Sequence, residues 1–135
     1  MDFSISTQGH GDVLDITSVI QDKINEQEMA NGAVLVFVPG STAAITTIEY
    51  ENGVIQDLVG VLNKIAPPGA DYKHHVKWGD NNGDAHIKAG IIGPSLIIPF
   101  EDKKLLLGTW QQIVLADFDE KTRQRKIIIK IIKTN

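Results

Sequence analysis

Three histidines, His74, His75 and His86, stand on either side of the polar run Asp80-Asn81-Asn82-Gly83-Asp84. The chain has no cysteine, so these imidazoles and the carboxylates beside them are the ligands it could offer a divalent ion such as Zn²⁺ or Mg²⁺. The same groups suit proton transfer, because histidine titrates near neutrality and Asp80 or Asp84 could orient a ring through its second nitrogen. The spacing matches neither HExxH nor another compact metal motif, and a catalytic triad cannot be read from residue order because triads assemble in space. A solvated polar loop is the third reading, and spacing alone leaves all three open.

Other segments carry weaker chemical signals. Pro39-Gly40-Ser41-Thr42-Ala43-Ala44 offers small hydroxyl residues and free backbone amides, the composition of a phosphate cradle, yet it fits neither the P-loop nor the dinucleotide fingerprint. Glu49 follows a strand-like segment and Asp57 sits in a helical pattern, where a solvated carboxylate is the common case. Trp110-Gln111 falls between two strand-like segments, and the simplest expectation is a core tryptophan with its indole N–H satisfied. Arg123 and Arg125 could grip a phosphate bidentately or pair with Asp117 and Asp119.

The elements that must position these residues follow from periodicity. Phe3 and Ile5 alternate with polar neighbours up to the turn Gly9-His10-Gly11. Ser18 and Gln21 have capping-box spacing, and Ile16, Ile20 and Ile24 share a helical face in a segment that Asn31-Gly32 would close. Ala33 to Val38 is a continuous apolar run suited to a doubly buried strand. Only Pro39-Gly40-Ser41 separates it from the β-branched segment Ser41 to Ile48, so a hairpin is expected. Val54, Leu58, Val61, Leu62 and Ile65 mark an amphipathic helix ended by Pro67-Pro68-Gly69. Residues up to Asp84 show little periodicity and read as a long functional loop. A short helix over Ala85 to Ile92, up to Gly93-Pro94, comes next.

Strands over Ser95–Phe100, Leu105–Gly108 and Gln112–Leu115 follow. The last strand, Gln124 to Ile132, alternates Ile127, Ile129 and Ile131 with Lys126, Ile128 and Lys130. Its lysines are the outer face of an edge or half-exposed strand. Helices alternating with hairpins predict an α+β fold with a mostly antiparallel sheet and two or three helices.

With 135 residues, the chain is read as one domain spanning 1–135. Its apolar fraction of 42% and charged fraction of 22% are those of a globular protein. A formal net charge of −4 argues against nucleic-acid binding, which needs clustered Lys and Arg. No signal peptide is visible and no apolar run reaches the roughly 20 residues of a membrane span, so a soluble, cytoplasmic protein is expected.

Taken together, several motifs resemble one known family. Gly40-Ser41-Thr42-Ala43-Ala44-Ile45 with Glu49, Tyr72-Lys73-His74, Asn82-Gly83-Asp84-Ala85-His86-Ile87-Lys88, Gly93-Pro94-Ser95-Leu96, Leu107-Gly108-Thr109-Trp110-Gln111 and Arg123-Gln124-Arg125 are similar, in order and over essentially the whole chain, to the YjbQ family. The family is also called secondary thiamine-phosphate synthase. The resemblance implies an α+β domain whose sheet curls into a small barrel, and a homotrimer. It implies a cleft carrying His74, His86, Glu49, Asp57 and Asn82, with Ser41, Thr42, Trp110, Gln111, Arg123 and Arg125 as substrate-binding residues. The implied activity couples a pyrimidine pyrophosphate to a thiazole phosphate. The alternative is a non-catalytic trimeric binding module for a small anionic metabolite or metal ion. The chain departs from the family at Gly40, where many members have histidine, so the resemblance leaves His74 and His86 as the metal candidates, with Asp, Glu or water completing any shell. The segment from Glu49 to Asp57 is also shorter than in some relatives.

Overall fold

The structure, a computed structural model, describes residues 1–135. Its strands are β1 (Asp2–Thr7), β2 (Asp12–Asp15), β3 (Gly32–Phe37), β4 (Ala43–Ile48), β5 (Ser95–Glu101), β6 (Lys104–Leu105), β7 (Gln112–Asp117) and β8 (Arg123–Ile132). The helices are α1 (Thr17–Asn25), α2 (Asn52–Ile65), α3 (Lys73–Trp78) and α4 (Gly83–Ile92). The strands form two antiparallel sheets, ordered β1-β8-β3-β5-β6 and β2-β7-β4, one of them curled into a half-barrel. The expected α+β class holds, with four helices rather than two or three. No helix is long and apolar enough to cross a membrane.

Alternation along the strands builds a layered core. Ile113 and Leu115 of β7 face the larger sheet, where Val34, Val36, Phe100, Ile127 and Ile129 meet them, and Ile16, Ile20 and Ile24 complete this core from α1 and the residue before it. The intervening Val114 and Ala116 point the other way, against Leu62 of α2 and Ala85 of α4. The small sheet is thus the middle layer, and α4 is seated on the face of it opposite the larger sheet. Each fully buried isoleucine contributes roughly 1.5–3 kcal/mol by leaving water.

Several expectations are corrected. β3 and β4 do not form a hairpin: they lie in different sheets, and Pro39-Gly40-Ser41 carries the chain across the core from one to the other. The Ser18–Gln21 capping box does not form. α1 starts at Thr17, whose N–H is accepted by Asp15 Oδ1, and it ends at Asn25. Gln21 instead reaches the edge strand, donating to Lys103 O and accepting from Leu105 N–H. That occupies backbone groups of an edge otherwise free to pair with another chain. The long loop after α2 contains α3. The lysine-bearing β8 is a half-exposed strand but lies inside its sheet, between β1 and β3.

Where the two sheets meet, the end of β7 gathers a buried polar cluster. Asp117 accepts from Arg125 Nε at 2.7 Å and Nη2 at 2.9 Å and from the Thr7 hydroxyl at 2.5 Å. Asp119 accepts from Thr42 Oγ1, Asn82 Nδ2 and Arg123 Nε. The turn between β1 and β2 closes on the same point, with His10 N–H and Gly11 N–H donating to the carbonyls of Asp119 and Asp117. Gly9, at φ +76°, has no room for a side chain there, since a Cβ would lie 2.3 Å from Asp119 O.

Burial pushes the Asp117 carboxyl up, but hydrogen bonds from Arg125, Thr7 and the Asp119 N–H outweigh it and hold the group below its ordinary 3.8. A depressed carboxyl contributes stability that is present above its unfolded value and lost as pH falls through the folded one. The melting temperature is therefore expected to fall steeply below about pH 4, and Asp117→Asn to flatten that acid limb. At pH 7, Asp117→Ala is expected to cost about 3–5 kcal/mol in urea denaturation by stranding the Arg125 charge.

Candidate functional site

α4 carries the polar residues on two flanks of one apolar stripe. At 100° per residue, Ala85, Ala89 and Ile92 face the small sheet, Asn82 and His86 lie on one side, and Asp84 and Lys88 on the other. α3 packs against the start of α4. Gly83 N–H donates to His75 Nε2 at 2.8 Å, and the Tyr72 ring meets His75 edge-on with centroids 5.3 Å apart. A Cβ on Gly83 would lie 2.7 Å from Tyr72 Cβ, so only glycine allows this approach. His75 is thereby fixed as an acceptor at the helix N-terminus.

That contact leaves His74 facing His86, with ring centroids 4.4 Å apart and planes inclined at 42°. His74 Nδ1 lies 3.1 Å from Asp80 Oδ1 without hydrogen-bond alignment. Both atoms are buried and meet only each other, and Asn82 Oδ1 is buried with no partner, while the Asn82 amide is held by Asp119. An unsatisfied buried polar atom costs about 1–3 kcal/mol. Asn82 Oδ1 is such an atom and marks where a bound molecule would supply a partner.

Beyond His86, a pocket of about 240 Å³ is lined by Gly40, Ser41, Ala43, Ala89, Gly90 and Pro94. Gly40, at φ +141°, leaves open a space in which a Cβ would sit 3.0 Å from Arg125 Nη1. Arg125 spends Nε and Nη2 on Asp117 and Thr42, and its Nη1 makes no protein hydrogen bond. Ser41, Thr42, His74, Asn82, His86, Arg123 and Arg125 thus share one end of the molecule. Thr42 and Arg123 serve it indirectly: both bond to Asp119.

The remaining expected residues lie elsewhere. Thr42 and Glu49 flank the two ends of β4 (Ala43–Ile48), about 23 Å apart at strand rise. At its far end Glu49 shares a groove of about 390 Å³ with Asp15, Tyr50, Glu51, Thr109, Trp110 and Gln112. Trp110 is 74% exposed, which corrects the expected core tryptophan. Gln111 accepts from Gly108 N–H and donates to Thr47 Oγ1, shaping that loop. Asp57 is exposed on α2. No group of three or more His, Cys, Asp or Glu side chains is placed to hold a metal ion.

Sequence reasoning passed over the other flank of α4. Lys88 is buried, with Nζ 2.7 Å from Asp84 Oδ2, 2.6 Å from Asn63 Oδ1 and 5.9 Å from the centre of the Phe118 ring. It lines a cavity of about 280 Å³ with His10, Asn81 and Glu120. The Asp84–Lys88 spacing of four residues was the available signal. On the His74 side, Gly83→Ala is expected to push Tyr72 and His75 outward, cost about 1–3 kcal/mol, and accelerate amide exchange through α3 while leaving β7 protected.

The comparisons fit this architecture. The family model described as UPF0047 protein YjbQ-like matches residues 1–134. A UPF0047 protein from Archaeoglobus fulgidus is 36% identical over 132 residues, covering 98% of this chain and 100% of the relative. The crystal structure of a YbjQ-like protein of unknown function from Sulfolobus solfataricus P2 aligns with a TM-score of 0.92 at 31% identity, over 99% of this chain and 96% of that one. A second, of a yjbq/upf0047 family protein from Clostridium acetobutylicum, gives 0.88 at 37% identity, over 98% and 99%. Matched over residues 1–134 by the family model and over 98% of its length by a relative 36% identical to it, the chain belongs to the YjbQ-like UPF0047 family.

Proposed function

We propose that this chain binds a small phosphorylated metabolite at the His74–His86 cleft and acts on it as a transferase of the thiamine-phosphate synthase kind. The observation that carries the reading is the unpartnered buried Asn82 Oδ1 beside two facing imidazoles, one of them 3.1 Å from Asp80. In that reaction the thiazole ring nitrogen attacks the methylene carbon of the pyrimidine pyrophosphate. The new C–N bond forms as the C–O bond breaks, and pyrophosphate leaves with the bonding pair. No proton is taken from the nucleophile, so the demand on the protein is to neutralise the departing charge.

His86 and His74 are the proton donors for that oxygen, and Ser41 and the free Nη1 of Arg125 are its hydrogen-bond donors. Asp80 orients His74, and Asn82 positions the wall through Asp119. A divalent ion, zinc or magnesium, would add positive charge at the same place; the two imidazoles would hold it, with water and phosphate oxygens completing its shell. A second reading, a non-catalytic binding module, is favoured by one fact: Glu49, Trp110 and Gln111 lie at the far end of β4, so an isolated chain carries only part of the expected cleft.

Calorimetric titration with the thiazole phosphate and the pyrimidine pyrophosphate separately, with product assay on mixing, tests both. Saturable heat and product are expected from the native chain, and His86→Ala should lose both with a melting temperature nearly unchanged. Heat without product selects the binding module, and no heat from either ligand removes both readings.

A further inference from the structure

The flank of α4 away from His86 holds polar groups that the proposed function does not use. There a cavity of about 280 Å³ lies between the β1–β2 turn, α2, α4 and the β7–β8 turn, with Lys88 in its wall. Lys88 is 3% exposed and Asp84 6% exposed, so both charges are out of water. An ammonium has three N–H groups to satisfy. Lys88 donates one to Asp84 Oδ2 at 2.7 Å and one to Asn63 Oδ1 at 2.6 Å. The third has no oxygen or nitrogen acceptor in the chain, and its only other neighbour of note is the Phe118 ring, 5.9 Å from Nζ to ring centre. Asn63 turns its oxygen to Lys88, which leaves its Nδ2 without an acceptor, and Asp84 Oδ1 likewise makes no hydrogen bond.

Two more groups meet this cavity. Glu120 has its N–H engaged by Asp119 Oδ1, but no cation in the chain pairs with its carboxylate. His10 stands at φ 55°, a backbone conformation that residues with a side chain seldom adopt, and donates its N–H to Asp119 O. The other two such residues, Asp102 and Lys103, make the tight turn between β5 and β6, whereas His10 is held at the mouth of the cavity. Asp119 thus sets both His10 and Glu120 beside Lys88.

These charges decide what fits. Asp84 already balances Lys88, so an anion such as phosphate gains no net attraction and is repelled by Glu120. A metal ion lacks ligands, since no three His, Asp or Glu side chains converge. What stays unmet is a carboxylate in need of a cation, together with N–H donors on Lys88 and Asn63 in need of an oxygen. The volume is just below the ~300–1,000 Å³ of ordinary ligand pockets, which limits the ligand to a small one.

We propose that this cavity is a second binding site, separate from the His74–His86 cleft, for a small primary amine that also carries an oxygen acceptor, either an α-amino acid or an amino alcohol. Its ammonium pairs with Glu120 and with Asp84 Oδ1. Its carboxylate or hydroxyl oxygen accepts from Lys88 Nζ and Asn63 Nδ2, and His10 lies over the entrance.

The test is titration of the isotope-labelled chain, followed by amide NMR shifts, with glycine, L-serine, ethanolamine, methylamine, acetate and inorganic phosphate as probes. At least one of the first three is expected to move the amides of residues 9–12, 81–88 and 118–121 saturably. Saturation by glycine or serine identifies an amino-acid site, and by ethanolamine alone an amino-alcohol site. Methylamine lacks the oxygen and acetate lacks the amine, so neither is expected to saturate these amides. Phosphate is expected to act only around Gly40 and His86. Glu120→Gln removes the cation partner from a partly exposed position with no side-chain hydrogen bond to lose, and is expected to weaken binding roughly tenfold with an unchanged circular dichroism spectrum. The proposal is overturned if none of the three amines saturates these amides in the native chain, a result that needs no variant to fold. Acetate or phosphate binding there as tightly as the amines also overturns it, as does a folded Glu120→Gln chain that binds like the native one. Because the cavity amides and those around Gly40 and His86 are read separately, this site and the function proposed above fail independently.

Discussion

The Asp117–Arg125 pair is the constraint on which the molecule depends. Arg125 comes from β8 in the larger sheet and Asp117 from β7 in the smaller, and the two nitrogens on that carboxylate fix the sheets at one separation and one angle. Asp119, two residues on, extends the tie to Thr42 at the head of β4, to Arg123 and to Asn82 before α4. Buried pairs of this kind contribute little net stability compared with well-packed apolar residues, and their loss is costly mainly because a charge is left stranded. Their value here is geometric. The same few atoms that hold the sheets also set the start of α4, and so the direction in which His86 points.

Seen from that tie, the cleft is a by-product of how the layers are joined. α4 is held at its start by Asn82 and along its length by Ala85 and Ala89, which leaves His86 on the flank open to Gly40 and Ser41. Arg125 is committed to Asp117 through two nitrogens and presents the third to the space that Gly40 leaves. A scaffold residue thus exposes a cationic edge without a separate residue being needed for it. The Lys88–Asp84 pair on the opposite flank ties α4 to α2 through Asn63, so that both sides of the helix are fixed by polar contacts.

Much of this was legible in the sequence where the cause was local. The spacing of Val54, Leu58, Leu62 and Ile65 gives α2, and the alternation through Ile127 and Ile129 gives β8 with its core face. Sequence failed where partners are distant. Nothing in Pro39-Gly40-Ser41 says that β3 and β4 enter different sheets, because a three-residue link can serve a hairpin or a crossing equally well. The pairing of Arg125 with Asp117 stayed one of two alternatives until the fold placed them together. α3 has no apolar stripe to betray it, since the contacts that hold it are His75 on Gly83 and Tyr72 on His75. Trp110 looked like a core residue because its size and apolar ring favour burial, and only the fold shows that it stands exposed just before β7 begins, where β4 ends.

The position of β8 has a kinetic consequence. This strand lies between β1 and β3, and its register joins Asp2 to Ile128 and Phe37 to Ile128. The larger sheet cannot close until the residues from Arg123 onward are available, so contacts of the greatest sequence separation must form before the core is sealed. Loop-closure entropy makes such topologies slow to fold. During synthesis, β3 and β5 would wait as an incomplete sheet, its apolar face uncovered, until the last strand arrived between β1 and β3.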